Sequence, residues 1–277
     1  MTLKPQVDVG IVTWNTAELT SEALRRFLDQ PSTCDIRLLV HDNASTDGTP
    51  EKLARAVPEA DVVTCPENLG FAGGMNRLLA RSTAPWFLAL NSDAWPEPGA
   101  LAQLVATAES HPRAAAIAPL LLRPDGTTEH STHPFPSLGI ALLDTFEGRR
   151  WLPQGYLERL CLEGAWRHDR ARQVDWAVGA ALLMRREAIA DIGGFDERFF
   201  MYVEDVEWCW RARERGWEIQ FEPAAVVTHI GGASGNRRFG GSRLALEAAN
   251  LRVFTRNALG PRRSLAYHSV QALGSGT

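Results

Sequence analysis

The chain has 277 residues, 45 % of them hydrophobic, and a formal net charge of −4 from 29 Lys+Arg against 33 Asp+Glu. That length suits one large α/β domain, or a domain with an appendage, built round a sizeable core. The charge balance gives no reason to expect a nucleic-acid binder, which shows a concentrated basic face; the clusters Arg149–Arg150, Arg237–Arg238 and Arg262–Arg263 are each short.

Strand-like and helix-like segments alternate through the first half. Val7–Thr13, Ile36–His41, Asp61–Cys65 and Trp86–Leu90 are short apolar runs that read as buried strands. Between and after them, Glu18–Asp29, Glu51–Ala56, Gly70–Ala80 and Leu101–Ser110 read as helices, with Thr16 or Thr20 as a candidate cap for the first. Strand, loop and helix in repetition imply a mostly parallel, Rossmann-like sheet with helices on both faces. Ligands then belong at the carboxyl ends of the strands. The loops there carry Trp14-Asn15, Asp42–Asp47, Glu67–Gly74 and Asn91–Asp93.

The second half is less regular. Residues 124–172 mix Pro, Gly, His, Trp and Arg without a clean period, with an amphipathic piece around Leu157–Trp166, and read as an excursion covering the site. Val174–Arg185 is expected as one strand, Glu187–Ile192 as a short helix ended by Gly193-Gly194, and Glu204–Arg215 as a helix ended by Gly216. Trp217–His229 returns as strand, Gly231–Gly241 reads as a loop, and Leu244–Asn257 as a final helix.

The cysteines, Cys34, Cys65, Cys161 and Cys209, form no CxxC pair, which argues against structural zinc. They are read as reduced thiols of a cytoplasmic protein. The opening MTLKPQVDVGIVTWN is too polar for a signal peptide. The longest apolar stretch, Ala114–Leu122, falls far short of a membrane span.

Several constellations can carry chemistry. Asn91-Ser92-Asp93 follows an apolar strand, and an Asp there can hold Mg²⁺ or Mn²⁺ beside a diphosphate; an Asx turn closing the strand is the plainer alternative. Asp42 at a strand end can reach a nucleobase or ribose, whereas Asp47 is assigned mostly to turn and cap. Asn68-Leu69-Gly70-Phe71-Ala72-Gly73-Gly74 opens a helix whose N-terminus favours anions, yet it is neither GxGxxG nor a Walker loop. Glu204 and Asp205 are adjacent acids near a helix start, suited to deprotonating a hydroxyl or to complementing the helix dipole. His229, ending a strand, is a possible metal ligand.

Taken in order, Val12-Thr13-Trp14-Asn15, Asp42-Asn43-x-Ser45-x-Asp47-Gly48, Asn68-x-Gly70-x-x-Gly73-Gly74-x-Asn76, Asn91-Ser92-Asp93, Val178-Gly179-Ala180, Gly194-Phe195-Asp196 and Glu204-Asp205 resemble glycosyltransferase family 2. The likeness runs from about Val7 to about His229 and is nearest to the bacterial rhamnosyltransferase-like branch, which builds cell-surface polysaccharide. It implies a GT-A fold and inverting transfer of a sugar from a dTDP-, UDP- or GDP-linked donor to a saccharide or lipid-linked acceptor. It further implies a divalent metal, Mn or Mg, and a place in the cytoplasm, with peripheral membrane association open. Thr13, Asn15 and Asp42 would hold base and ribose, with Trp14 packed beside the base; Asn68, Gly70, Gly74, Asn76 and Ser92 would line the donor site. Asp93 and His229 would ligate the metal, Asp205 would be the base, and Glu204 would bind sugar or acceptor. Asn91 stands where the family's Asp-x-Asp has its first Asp, so modest metal affinity is expected.

The implied division is a GT-A domain over residues 1–260, with a nucleotide-sugar half (1–120) and an acceptor half (121–260), then a tail over 261–277. Competing readings are a sugar nucleotidyltransferase, which would want an Arg- and Lys-bearing Gly-rich loop after the first strand, and a non-catalytic nucleotide- or carbohydrate-binding module, which would not need Glu204-Asp205. A Rossmann oxidoreductase is disfavoured by the absence of GxGxxG.

Overall fold

The computed structural model describes residues 4–29, 31–231 and 242–274. A nine-stranded sheet runs through the molecule. Its first four strands are β1 (Gln6–Thr13), β2 (Asp35–Asn43), β3 (Asp61–Cys65) and β4 (Trp86–Asn91), joined by helices α1 (Ala17–Leu28), α2 (Thr49–Ala56) and α3 (Gly70–Arg81). These strands are parallel, in the order β3-β2-β1-β4. β5 (Ala94–Pro96), α4 (Ala100–Ser110) and β6 (Ala114–Leu122) follow. The apolar stretch at 114–122 is thus a central strand, flanked by the strands Ala181–Arg185 and Glu218–His229.

Side chains alternate across a strand, so each apolar run feeds two cores. Trp86, Leu88 and Leu90 of β4 join Leu24, Phe27, Leu53 and Leu104 on one face of the sheet. Phe87 and Ala89 join Met75, Leu78 and residues from later helices on the other. Phe87 is fully buried, worth about 1.5–3 kcal/mol as an upper estimate. It lies across Gly10 of β1: a Cβ there would stand 2.2 Å from Phe87 Cζ, so only glycine fits.

Past β6 the excursion holds β7 (Thr132–His133), α5 (Leu138–Thr145), a 3-10 turn (Gly148–Trp151) and α6 (Gln154–Arg159). The single strand expected over Val174–Arg185 is instead three pieces: β8 (Arg172–Val174), β9 (Trp176–Ala177) and β10 (Ala181–Arg185). Tertiary bonds cause the break. The Asp175 carboxylate accepts from Phe135 N at 2.8 Å, and Val178 N donates to Ser131 O at 2.8 Å, drawing the chain off the large sheet to pair β9 with β7. α7 (Arg186–Ile192), α8 (Glu204–Glu214) and β11 (Glu218–His229) complete the sheet region.

β10 runs antiparallel between β4 and β6, and β11 resumes the parallel direction beside β6. The start of β10 therefore lies at the edge where β1, β2, β4 and β11 end. Two helices close the chain, α9 (Arg243–Leu259) and α10 (Pro261–Gly274). Residues expected as a tail thus include a helix, which packs on α9 and α5. Most of the loop expected at 231–241 lies outside the described residues. Thr16 does not cap α1 through its side chain; its hydroxyl bonds Thr13 and Thr20 instead.

Candidate active site

The carboxyl edge of the sheet opens into a cavity of about 720 Å³. At one end β5 pairs with β11 so that Ala94 faces His229, and Ile230 N donates to Asp93 O at 3.0 Å. This register brings His229 Nε2 to 3.4 Å from Asp93 Oδ1, with both side chains almost fully buried. Asn91 Nδ2 lies 3.3 Å from the same nitrogen. On the ring's other side, His229 Nδ1 stands 2.8 Å from Glu129 Oε2, carried in from the excursion. Burial alone would lower the His229 pKa, but bonds to Asp93 and Glu129 outweigh it and raise it to about 9.

The second pair of acids enters from the strained turn before α8. Tyr202 and Val203 take φ of 71° and 76°, a left-handed conformation costing about 1–2 kcal/mol per non-glycine residue and worst for a β-branched one. Tertiary bonds hold it. Asn250 Nδ2, from α9, donates to Met201 O at 2.9 Å and Tyr202 O at 3.1 Å, and Phe71 N donates to Phe200 O at 2.8 Å. Gly70 is required at that contact, since a Cβ would stand 2.1 Å from Phe200 O.

The turn delivers Glu204 and Asp205 to the cavity. Asp205 Oδ2 accepts from Gly179 N at 2.9 Å and Oδ1 from Val206 N at 2.8 Å, so backbone donors fix the carboxylate's orientation. Burial raises the Asp205 pKa and those N–H bonds oppose the rise. Glu204 is buried and its Oε2 has no hydrogen-bond partner among the described residues. Burial, then the neighbouring Asp205 charge, pushes its pKa well above the ordinary carboxylate range.

The model of "Glycosyl transferase family 2" matches residues 8–192, two thirds of the chain. The chain belongs to glycosyltransferase family 2. It is 35 % identical over 225 residues to the N-acetylglucosaminyl-diphospho-decaprenol L-rhamnosyltransferase of Mycobacterium tuberculosis, covering 74 % of this chain and 71 % of that one. Its fold resembles the mannosyltransferase PcManGT of Pyrobaculum calidifontis, solved with GDP-Man and Mn²⁺ (TM-score 0.62, 21 % identity, 99 % of this chain and 74 % of that one). It also resembles GalNAc-T7 solved with UDP, GalNAc and Mn²⁺ (TM-score 0.61, 14 % identity, 81 % and 44 %). The architecture is the GT-A fold, and the chain is a nucleotide-sugar glycosyltransferase. That membership displaces the nucleotidyltransferase and the non-catalytic module.

Of the residues expected to serve a family 2 transferase, Thr13, Trp14, Asn68, Ser92, Asp93, Glu204, Asp205 and His229 all line the cavity. Asn15, Asp42, Gly70, Gly74 and Asn76 are not among the lining residues. Asn15 Oδ1 accepts from Thr46 N at 2.7 Å, tying the β1 loop to the β2 loop. Asp42 is buried; its Oδ2 accepts from Ser45 N at 3.0 Å while Oδ1 has no hydrogen-bond partner among the described residues. Gly74 lets α3 approach β1, where a Cβ would meet the Val12 methyls at 2.9 Å. Asn76 departs furthest from expectation. Its amide bonds both N and O of Phe195 at 2.8 Å, so it fixes the loop before α8 and does not reach the cavity.

Sequence reasoning missed Asn43, Glu129, Trp176 and Asn250. Asn43 lines the cavity while bonding Leu69 N and Gly70 O. Trp176 lines the cavity, stacked on His133 with centroids 4.5 Å apart. Asn43 sat inside a quoted motif and could have been found; the other three had no local signal.

Proposed function

We propose that this chain transfers a deoxyhexosyl group, rhamnose by likeness to the mycobacterial relative, from a dTDP-linked donor to a hydroxyl of a lipid-linked saccharide in cell-envelope polysaccharide synthesis. The observation that carries the reading is that the Asp93–His229 pair and the Glu204–Asp205 pair line one cavity.

A divalent cation fits the first pair. Asp93 offers a hard carboxylate oxygen and His229 Nε2 a nitrogen facing it, once the imidazole gives up its extra proton. Glu129 would accept the Nδ1–H and fix the ring, the usual arrangement behind a metal-bound histidine. No cluster of three His, Cys, Asp or Glu suited to a metal occurs among the described residues, so donor phosphates and water would complete the coordination. When bound, the metal neutralises charge on the departing diphosphate.

The remaining steps belong to the chain's own groups. Thr13, Trp14 and Asn43 would border the nucleoside, with the unpartnered Asp42 Oδ1 behind them as a further acceptor. Trp176 would stack on a sugar ring of the acceptor. Asp205 takes the proton of the acceptor hydroxyl; that oxygen bonds the anomeric carbon as the carbon–phosphate-oxygen bond breaks, and the electron pair leaves with the nucleoside diphosphate. Attack from the opposite face inverts the anomeric configuration. Glu204, held neutral by its burial, can donate a hydrogen bond to a sugar oxygen.

Calorimetric titration with dTDP, UDP and GDP, with and without Mn²⁺, tests the donor half. One nucleotide is expected to bind with metal dependence, and Asp93→Ala to lose at least about ten-fold in that affinity. Equal affinity in the wild type and in Asp93→Ala would sink the assignment.

A further inference from the structure

The excursion and the two C-terminal helices form one layer whose outer surface is unusual. α5 contributes Ile140 and Asp144 to the cavity lining, so this layer borders the proposed acceptor half. Its opposite side is not polar. Leu138, Leu142 and Phe146 recur at four-residue spacing, on one flank of α5, and all three are exposed. Phe146 is 58 % exposed and Trp151, in the 3-10 turn that follows, 78 %. α10 packs on α5, where Thr145 Oγ1 donates to Val270 O at 3.2 Å. α10 itself exposes Leu265 at 70 % and Leu273 at 66 %. Large apolar side chains this exposed, gathered in one layer, mark an interaction surface.

Charge selects the partner. Residues 243–277 carry five arginines and one glutamate in a chain whose net charge is −4. Arg252, Arg256, Arg262 and Arg263 are exposed, and none of the four is ion-paired among the described residues. The guanidinium of Arg150, paired with Glu147 at 2.7 Å, lies over the Trp151 ring at 5.4 Å. Aromatic and leucine side chains beside unpaired arginines suit the headgroup region of an anionic bilayer, where rings sit among headgroups and arginines meet lipid phosphates. A second copy of this chain would bring arginine against arginine. No helix among the described residues is long and apolar enough to cross a membrane, so the contact is one of lying on the surface.

We infer that α5, the 3-10 turn carrying Trp151, α9 and α10 form a face that docks on an anionic lipid bilayer and turns the acceptor half of the cavity toward lipid-borne substrate. The docking face stands on its own residues; only its purpose rests on the lipid-linked acceptor proposed above.

Vesicle flotation without substrates tests it, using phosphatidylcholine vesicles with and without phosphatidylglycerol. The full chain is expected to float with the anionic vesicles, to stay down with the neutral ones, and to be released by high salt. Phe146→Ser with Trp151→Ser, and separately Arg262→Glu with Arg263→Glu, should each weaken binding by at least about ten-fold. Both variants should keep the wild-type melting temperature and transfer to a water-soluble acceptor analogue, so loss of docking and loss of the catalytic reading are separable. Equal binding to neutral vesicles, no binding to anionic ones, unchanged binding by the charge-reversal variant, or a solution dimer broken by the same substitutions would each overturn the inference.

Discussion

Glu204 and Asp205 are neighbours in sequence with opposite surroundings. Asp205 holds its carboxylate against two backbone N–H groups, while Glu204 keeps an unpartnered oxygen in a buried pocket. The unfolded chain releases the Glu204 proton in the ordinary carboxylate range, but the folded chain retains it to higher pH. Above about pH 5 the folded state therefore binds more protons, and this residue erodes stability as pH rises toward its folded pKa. Glu204→Gln is expected to melt above the wild type at pH 8, with the advantage shrinking to nothing near pH 4. A constant difference across that range would refute a buried neutral Glu204. In the same cavity, Glu129→Ala should leave His229 unoriented. Mn²⁺ affinity in the presence of nucleotide, read by electron paramagnetic resonance, should fall about 10–100-fold. Unchanged affinity would remove Glu129 from the site.

Elements, more than single side chains, decide where these groups stand. The turn before α8 holds Tyr202 and Val203 left-handed, and Asn250 of α9 supplies two of the bonds that keep it there. Asn250→Ala leaves two half-buried carbonyls short of a donor, a loss of about 0.5–1.5 kcal/mol. Because the turn carries Glu204 and Asp205 but not Asp93, kcat should drop several-fold more than donor affinity does. Equal falls in both would mean that Asn250 serves general stability alone. This clamp could not be read from the chain: Asn250 is one polar residue on a helix, and its partner carbonyls lie about fifty positions away. The strands at Val7–Thr13 and Trp86–Leu90 were legible because buried parallel strands are continuous apolar runs. The run at Val174–Arg185 looked alike, and its break at Asp175 arises from bonds to Ser131 and Phe135 that no local period records.

Across the whole molecule, the sheet explains why distant residues act together. Parallel strands send their carboxyl ends to one edge, and the reversed strand β10 starts at that edge just after Val178–Ala180, where Ala180 O accepts from Asn91 N at 2.9 Å. The motif residues at those ends were readable in order along the chain. What the excursion and β9 add, Glu129 and Trp176, was not, since their placement depends on tertiary contacts and leaves no periodic trace. Asp93 and His229, proposed to serve donor and metal, thus share one cavity with Glu204 and Asp205, proposed to activate the acceptor. The most direct test of that arrangement is the anomeric configuration of the product, read by NMR. The reaction would use dTDP-rhamnose, Mn²⁺ and a synthetic N-acetylglucosaminyl diphosphate lipid. Expected is a glycoside inverted relative to the donor, formed about 10²–10⁴-fold more slowly by Asp205→Asn although that variant still binds donor. A product of retained configuration, or an Asp205→Asn enzyme as fast as the wild type, would contradict single-displacement transfer with Asp205 as the base.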